Sequence, residues 1–79
     1  MNQPGANGFR AAVITVSDRA AAGEREDVSG ARAVDALHAA GFLVQRAVIV
    51  PDGEDSVAGA ILGAVTAGAR LVVTTGGTG

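Results

Sequence analysis

Residues 9–17, Phe-Arg-Ala-Ala-Val-Ile-Thr-Val-Ser, decide the fold class of this chain. The stretch is almost continuously apolar and rich in β-branched side chains, which is typical of a strand covered on both faces. Two further apolar stretches, residues 42–50 and 71–75, have the same character. The sequence therefore predicts three buried strands, with the second nearer a sheet edge because Gln45 and Arg46 interrupt it.

Two helical patterns separate these strands. Ser29 can cap a helix from about residue 30 to 40, and Gly41 is placed to end it in a left-handed conformation. Residues 54–67 carry apolar side chains at steps of three to four, and Gly68 ends that helix. Alternating strands and helices predict an α/β fold: a parallel sheet with right-handed crossovers and helices on its faces. We take the strand order in this sheet as 2-1-3.

The ends of the chain carry separate expectations. Residues 1–8 are neither positively charged nor apolar, so we interpret them as a flexible tail and not as a signal peptide. At the other end, glycines follow the third strand where a helix should begin. We therefore expect the sequence to be a fragment, with residues 9–79 forming the N-terminal part of one domain.

Composition excludes several classes of function. The net charge is −2, and the six basic residues are all scattered arginines, so no basic stripe for nucleic acid exists. Without cysteine there is no disulfide framework, thiolate metal site or thiol nucleophile, and His38 cannot build a zinc site alone. The apolar runs are too short to cross a membrane, and a cytoplasmic location is the default expectation.

Polar residues follow each predicted strand. Ser17-Asp18-Arg19 follows the first, Pro51-Asp52 follows the second, and residues 75–79 follow the third. Ligands of open parallel sheets bind beyond the carboxyl ends of the strands, and neighbouring strand ends are about 5 Å apart. We therefore predict that these three turns lie on one rim and contact one ligand.

The glycine loop at residues 75–79 is a candidate phosphate site. Its glycines let the backbone approach a phosphate, its N–H groups can form a concave anion site, and Thr75 and Thr78 add hydroxyl donors. The alternative is a simple tight turn. The loop is not a Walker A loop, because the chain has no lysine, and no G-x-G-x-x-G follows the first strand.

Asp18 and Asp52 are candidate ligands for a magnesium ion that bridges phosphate oxygens. Each also has a structural interpretation: Asp52 as a turn former in Pro-Asp-Gly or a helix cap, and Asp18 as a solvated acid paired with Arg19. Asp27 and Ser29 can be simple cap residues. His38 is assigned no catalytic role.

Four motifs, in this order, carry a family resemblance that spans nearly the whole chain after the tail. They are Ile14-Thr15-Val16-Ser17-Asp18-Arg19, Asp27-x-Ser29-Gly30, Val50-Pro51-Asp52 and Thr74-Thr75-Gly76-Gly77-Thr78-Gly79. Each motif alone is common, but the ordered set resembles the molybdopterin-binding family, which includes bacterial molybdopterin adenylyltransferases. The resemblance implies a three-layer α/β/α domain, truncated here and usually assembled as a homotrimer.

The resemblance also implies an activity, the transfer of AMP from ATP to the terminal phosphate of molybdopterin with Mg²⁺ present and pyrophosphate released. By that resemblance Asp52 would be the catalytic acid at the pterin or metal site, and Ser17 and Asp18 would line the same pocket. Asp27, Ser29 and Gly30 would lie at the rim near the nucleotide. The phosphate cradle would be formed by Thr75, Gly76, Gly77, Thr78 and Gly79.

One departure from the family pattern bears on activity. The family continues past the glycine loop with an Arg-Asp-Thr-Pro-Glu-Ala-like segment that supplies a further essential acid, and these 79 residues end before it. We therefore expect the 79-residue chain alone to be inactive. Two alternatives stay open: a non-catalytic molybdopterin-binding module, as in fused molybdenum-insertion or competence-damage-type proteins, and a structural unit that assembles with its own copies.

Overall fold

The computed structural model describes residues 8–76 and confirms the predicted α/β class. The predicted tail lies outside the described residues except for Gly8, and so do Gly77, Thr78 and Gly79. The elements in chain order are β1 (Arg10–Val16), α1 (Asp18–Ala21), α2 (Val28–Ala39), β2 (Leu43–Val44), β3 (Val48–Val50), α3 (Glu54–Thr66) and β4 (Ala69–Gly76).

The sheet is parallel and is centred on β1. β2 and β3 pair with β1 along one side, and β4 pairs with it along the other. Because β2 and β3 together occupy the predicted second strand, the predicted order 2-1-3 is confirmed. The two crossovers run in opposite directions across the sheet, so right-handed connections place α2 and α3 on opposite faces.

The predicted second strand, residues 42–50, is interrupted. Ala11 pairs with Val44 and Ile14 pairs with Val48, so three steps along β1 face four steps along the partner. One extra residue is therefore accommodated between β2 and β3, as in a β-bulge. The interruption falls on the exposed pair Gln45 and Arg46, which are the polar residues that break the apolar pattern.

The core lies along β1. Val13 and Ile14 are each 1% exposed, and Ala11 and Val16 are also buried. A strand with a neighbour on each side and a helix over each face buries both sets of alternating side chains, which explains its unbroken apolar sequence. The outer side of α3 is different, because Leu62 and Val65 are 67% and 54% exposed.

Three element boundaries differ from the sequence-based predictions. The predicted loop after β1 contains the one-turn helix α1, which Ser17 caps by accepting a hydrogen bond from the N–H of Ala20 at 3.2 Å. Helix α2 is capped by Asp27, not Ser29, and begins at Val28 because the Asp27 carboxylate accepts from the N–H of Gly30. Strand β4 is longer than predicted, since its pairing with β1 extends to both ends.

The end of α2 is built as predicted. Gly41 has φ +94°, the left-handed conformation expected after a helix, and the N–H of Phe42 donates to the carbonyl of Leu37. His38 Nε2 lies 2.9 Å from the carbonyl oxygen of Val44, so this side chain joins α2 to β2. That contact agrees with a structural role. Within residues 8–76, no helix has the length and apolar character needed to span a membrane.

Candidate active site

The predicted common rim is present. Val16, the last residue of β1, pairs with Val50 on one side and with Gly76 on the other. The N–H of Ser17 donates to the carbonyl of Val50 at 2.9 Å, which carries the contact one residue past the strand. The chain therefore leaves β1, β3 and β4 at one edge of the sheet, as strand order 2-1-3 requires.

Two aspartates join across this rim. The backbone N–H of Asp52 donates to Oδ1 of Asp18 at 2.9 Å, although the two residues are 34 positions apart. Asp18 is the first residue of α1, which starts where the Ser17 hydroxyl caps it. Both aspartates are exposed, so their remaining carboxylate oxygens are accessible from the rim. The turn after β1 thereby fixes the backbone of the turn after β3.

An open cleft of about 790 Å³ lies over the rim. Its volume falls within the range of roughly 300–1,000 Å³ typical of small-molecule sites. The cleft is walled by the ends of β1 and β4, by α1, by the start of α2 and by the turn after β3. Its lining residues are Thr15, Val16, Ser17, Asp18, Arg19, Ala20, Arg25, Glu26, Asp27, Val28, Ser29, Asp52, Thr75 and Gly76.

Asp27 is held from two directions at the back of the cleft. Its Oδ1 accepts from the N–H of Gly30 at 2.9 Å, and its Oδ2 accepts from the Thr15 hydroxyl at 2.8 Å. The Thr75 hydroxyl in turn donates to Thr15 at 3.1 Å. This hydroxyl chain, Thr75 to Thr15 to Asp27, links β4, β1 and α2. It also shows that Thr75 donates inside the protein, whereas the sequence led us to expect a donor for phosphate.

Two glycines are required by close approaches near the rim. A Cβ on the buried Gly30 would overlap the Asp27 carboxylate and would lie 2.5 Å from the Thr15 hydroxyl oxygen. Gly76 has φ +80°, and a Cβ there would overlap the carbonyl oxygen of Val16. Glycine at these positions lets the start of α2 and the end of β4 close onto β1.

The structure brings most of the predicted site residues together. Gly30 is the exception among those described: it lies behind Asp27 and is not part of the cleft wall. Gly77, Thr78 and Gly79 lie outside the described residues. The predicted residues that line the cleft are Ser17, Asp18, Asp27, Ser29, Asp52, Thr75 and Gly76.

Some of the cleft wall was not predicted from the sequence. Thr15 was considered only as part of a strand and of the first family motif, yet its buried hydroxyl lies behind the cleft and donates to Asp27. A hydroxyl within an otherwise apolar strand was the available signal. Arg25 and Glu26 also line the cleft. They lie in a polar segment whose path the sequence does not specify, so no pattern distinguished them from solvated side chains.

The acidic residues fit a magnesium ion only if the ligand completes its coordination. Among residues 8–76, no group of three or more acidic or histidine side chains is arranged to hold a metal. Asp18 and Asp52 both line the cleft, and the Asp18 carboxylate lies against the backbone of Asp52. Magnesium commonly takes one or two carboxylates and fills its other positions with water and substrate phosphates. The donor set therefore suits a metal that arrives with a phosphorylated ligand.

Comparison with known proteins is consistent with this geometry. Residues 12–79 match the family model described as a probable molybdopterin binding domain. The chain is 49% identical over 71 residues to a molybdopterin adenylyltransferase of Pyrococcus furiosus. It is 37% identical over 70 residues and 40% identical over 72 residues to molybdenum cofactor biosynthesis bifunctional proteins of Chlorobaculum tepidum and Synechococcus elongatus, respectively. No solved structure gives a significant match.

These alignments cover most of this chain but much less of the relatives. They include 90%, 89% and 91% of the chain, against 41% of the Pyrococcus protein and 22% and 23% of the two bifunctional proteins. The family match includes every described cleft residue. The chain therefore belongs to the family of probable molybdopterin-binding domains.

Proposed function

We propose that the protein binds molybdopterin and transfers AMP to it from ATP. The observation that carries this proposal is the meeting of three strand ends in one cleft, with the Asp18 and Asp52 carboxylates on its wall. The Pyrococcus relative, which is named a molybdopterin adenylyltransferase, adds support. The cleft volume of about 790 Å³ is within the range of sites that bind small molecules.

The proposed reaction needs positioning and charge neutralisation more than covalent help from the protein. An oxygen of the molybdopterin terminal phosphate attacks the α-phosphorus of ATP, and the bond from that phosphorus to the pyrophosphate oxygen breaks. Arg19 and Arg25 line the cleft, and their charges favour binding of the phosphates. A site that acts by positioning and charge neutralisation does not require a cysteine or a lysine, and this sequence contains neither.

Asp52 is the residue that we propose as catalytic and as metal ligand. Its backbone is held by the bond to Asp18, and the residue lines the cleft just after β3. Asp18 and Asp52 would hold Mg²⁺, which when bound neutralises phosphate charge. Substrate would contact four side chains along the same wall: Ser17, Asp18, Asp27 and Ser29. Gly30 would act indirectly, because the absence of a Cβ there leaves room for the Asp27 carboxylate.

Assembly and location are part of the same proposal. We propose a cytoplasmic homotrimer on the basis of the family resemblance. The exposed apolar side chains of α3, including Leu62 and Val65, support burial of that surface in the assembled protein. Sedimentation equilibrium of the full chain measures the number of copies.

Substitution of Asp52 tests the proposed activity. In the full chain, Asp52→Asn is expected to lower the rate of ATP-dependent adenylylation of molybdopterin by about 100-fold, because the carboxylate that would hold Mg²⁺ against the reacting phosphates is lost. The substitution keeps the turn, since asparagine is also favoured there. The matched control is Asp35→Asn on the exposed side of α2, which is expected to keep the normal rate.

Two outcomes would contradict this assignment. Normal turnover of the Asp52 variant would remove Asp52 from the catalytic site. Binding of molybdopterin by the unsubstituted protein without any ATP-dependent product would replace the transferase with a non-catalytic binding module of the same family.

A further inference from the structure

The hydroxyl chain behind the cleft has a fixed direction. A carboxylate only accepts hydrogen bonds, and a threonine hydroxyl has one proton to donate. Asp27 accepts from Thr15, so the Thr15 proton is used there. Thr15 must then accept from its other neighbour, and the Thr75 proton is used in that bond. Both hydroxyl protons are therefore directed toward Asp27, and the Thr75 proton is not available to a ligand.

Thr75 lines the cleft at the end of β4. With its proton committed to Thr15, its oxygen has only lone pairs to offer a ligand. We propose that Thr75 acts in the cleft as a hydrogen-bond acceptor, so that the ligand atom it contacts is an O–H or N–H donor and not a phosphate oxygen. Asp27 is the positioning residue that sets this polarity, acting through Thr15.

Three structural features maintain the direction of the hydroxyl chain. Thr15 and Thr75 are paired in the β1–β4 register, so their hydroxyls face each other across neighbouring strands. Thr15 is only 4% exposed, which leaves little opportunity for water to replace either bond. The absence of a Cβ on Gly30 gives the Asp27 carboxylate its place against Thr15. Three elements thus hold three side chains in one arrangement.

Replacing Asp27 with asparagine should reverse the direction of the hydrogen bonds in the hydroxyl chain without moving its side chains. The N–H of Gly30 requires an acceptor, so the amide oxygen takes the Oδ1 position and the amide nitrogen takes the Oδ2 position. That nitrogen donates to Thr15, the Thr15 proton turns to Thr75, and the Thr75 proton is released toward the cleft. Asparagine is also a good helix cap, so α2 should still form.

A double-mutant cycle with inorganic pyrophosphate as probe tests this reversal. Pyrophosphate offers mainly acceptor oxygens, so Asp27→Asn is expected to raise its affinity for the full chain by about tenfold, as measured by calorimetric titration. Part of that gain is simple loss of negative charge. In the Thr75→Val background only the charge effect remains, and the gain is expected to fall to about threefold or less.

The Thr75→Ser background is the matched control, because serine keeps the hydroxyl and should retain the full gain. An equal gain from Asp27→Asn with and without the hydroxyl would overturn the proposal, since the effect would then be charge alone. A change that merely loosened the fold would lower the affinity and would also overturn it. Thermal unfolding of each variant checks that the proteins compared are folded.

The source of the ligand's donor group rests on the proposed function, which offers a nucleotide and a pterin. Two phosphate-free probes, adenosine and neopterin, distinguish them in the same titration. Loss of affinity of about fivefold on Thr75→Val for adenosine alone assigns the donor to the nucleotide, and the same loss for neopterin alone assigns it to the pterin. Loss for neither would overturn the acceptor role.

These titrations require no catalysis, so they separate the two proposals. A protein that fails to adenylylate molybdopterin can still show the coupling between Asp27 and Thr75. Conversely, transferase activity without that coupling would support the proposed function and overturn the proposed acceptor role of Thr75.

Discussion

The two long helices are fixed to the sheet in different ways. Helix α2 begins at the Asp27 side chain, which bonds to its own first turn and to β1. Helix α3 follows its N-cap Gly53 without a side-chain cap, and much of its outer surface is exposed. At its other end, Arg10 of β1 donates to the carbonyl of the C-cap Ala67 at 3.3 Å. The first turn of α2 is thus positioned by side-chain hydrogen bonds, whereas the first turn of α3 has no such bond.

This difference predicts opposite responses to the same substitution. Hydrogen-bonded contacts of defined length tolerate little added volume, while an exposed helix surface tolerates it well. Glycine occurs within both helices, at Gly30 and at Gly59, so replacement by alanine probes the two kinds of attachment directly.

Gly30→Ala is expected to have the largest effect. The new Cβ would overlap the Asp27 carboxylate and crowd the Thr15 hydroxyl, so α2 must move away from β1. We expect the free energy of unfolding to fall by about 3 kcal/mol, as measured by urea denaturation of the full chain. A loss below about 0.5 kcal/mol would show that the contact is much looser than the structure indicates.

Asp27→Ala is expected to cost less, about 2 kcal/mol, because it removes a helix cap and one partner of a buried hydroxyl without adding volume. The same denaturation measurement applies. Its control is Asp55→Ala in the first turn of α3, where the structure shows no side-chain cap and the helix–charge interaction is worth about 0.5 kcal/mol. Equal losses would remove the distinction between the helices.

Gly59→Ala is expected to stabilise the protein by about 0.5–1 kcal/mol. No atom lies within 4 Å of the position of its Cβ, and alanine favours the helical backbone more than glycine does. A shift of the urea midpoint to higher concentration would show this. Destabilisation instead would place Gly59 within the part of α3 that we propose is buried by assembly around Leu62 and Val65.

The sequence predicted the architecture because its strongest signals are local. The apolar run of β1 and the glycines after α2 and α3 predicted the order of the elements along the chain. Handedness rules predicted right-handed crossovers between parallel strands, and strand order 2-1-3 was assumed in addition. The convergence of Asp18, Asp52 and Thr75 followed from that order alone. Their ligand roles remain predictions, because no pattern in the chain specifies which chemical group each contacts.

The remaining features depend on distances that sequence does not contain. Asp27 and Ser29 are both favourable caps, and the choice between them was decided by the position of Thr15, twelve residues away. The inward direction of the Thr75 hydroxyl depends on the same contact. Side chains that satisfy each other across elements become visible only once the elements are placed.

The additional residue between β2 and β3 sets the level at which β3 ends. If that residue were paired in a regular strand, β3 would end about 3.3 Å beyond the level of Val16, and alternate side chains of that strand would exchange faces. The backbone of Asp52 would then be displaced from the Asp18 carboxylate by roughly the length of one hydrogen bond. The bulge near Gln45 and Arg46 thus determines where Asp52 lies at the far end of the strand.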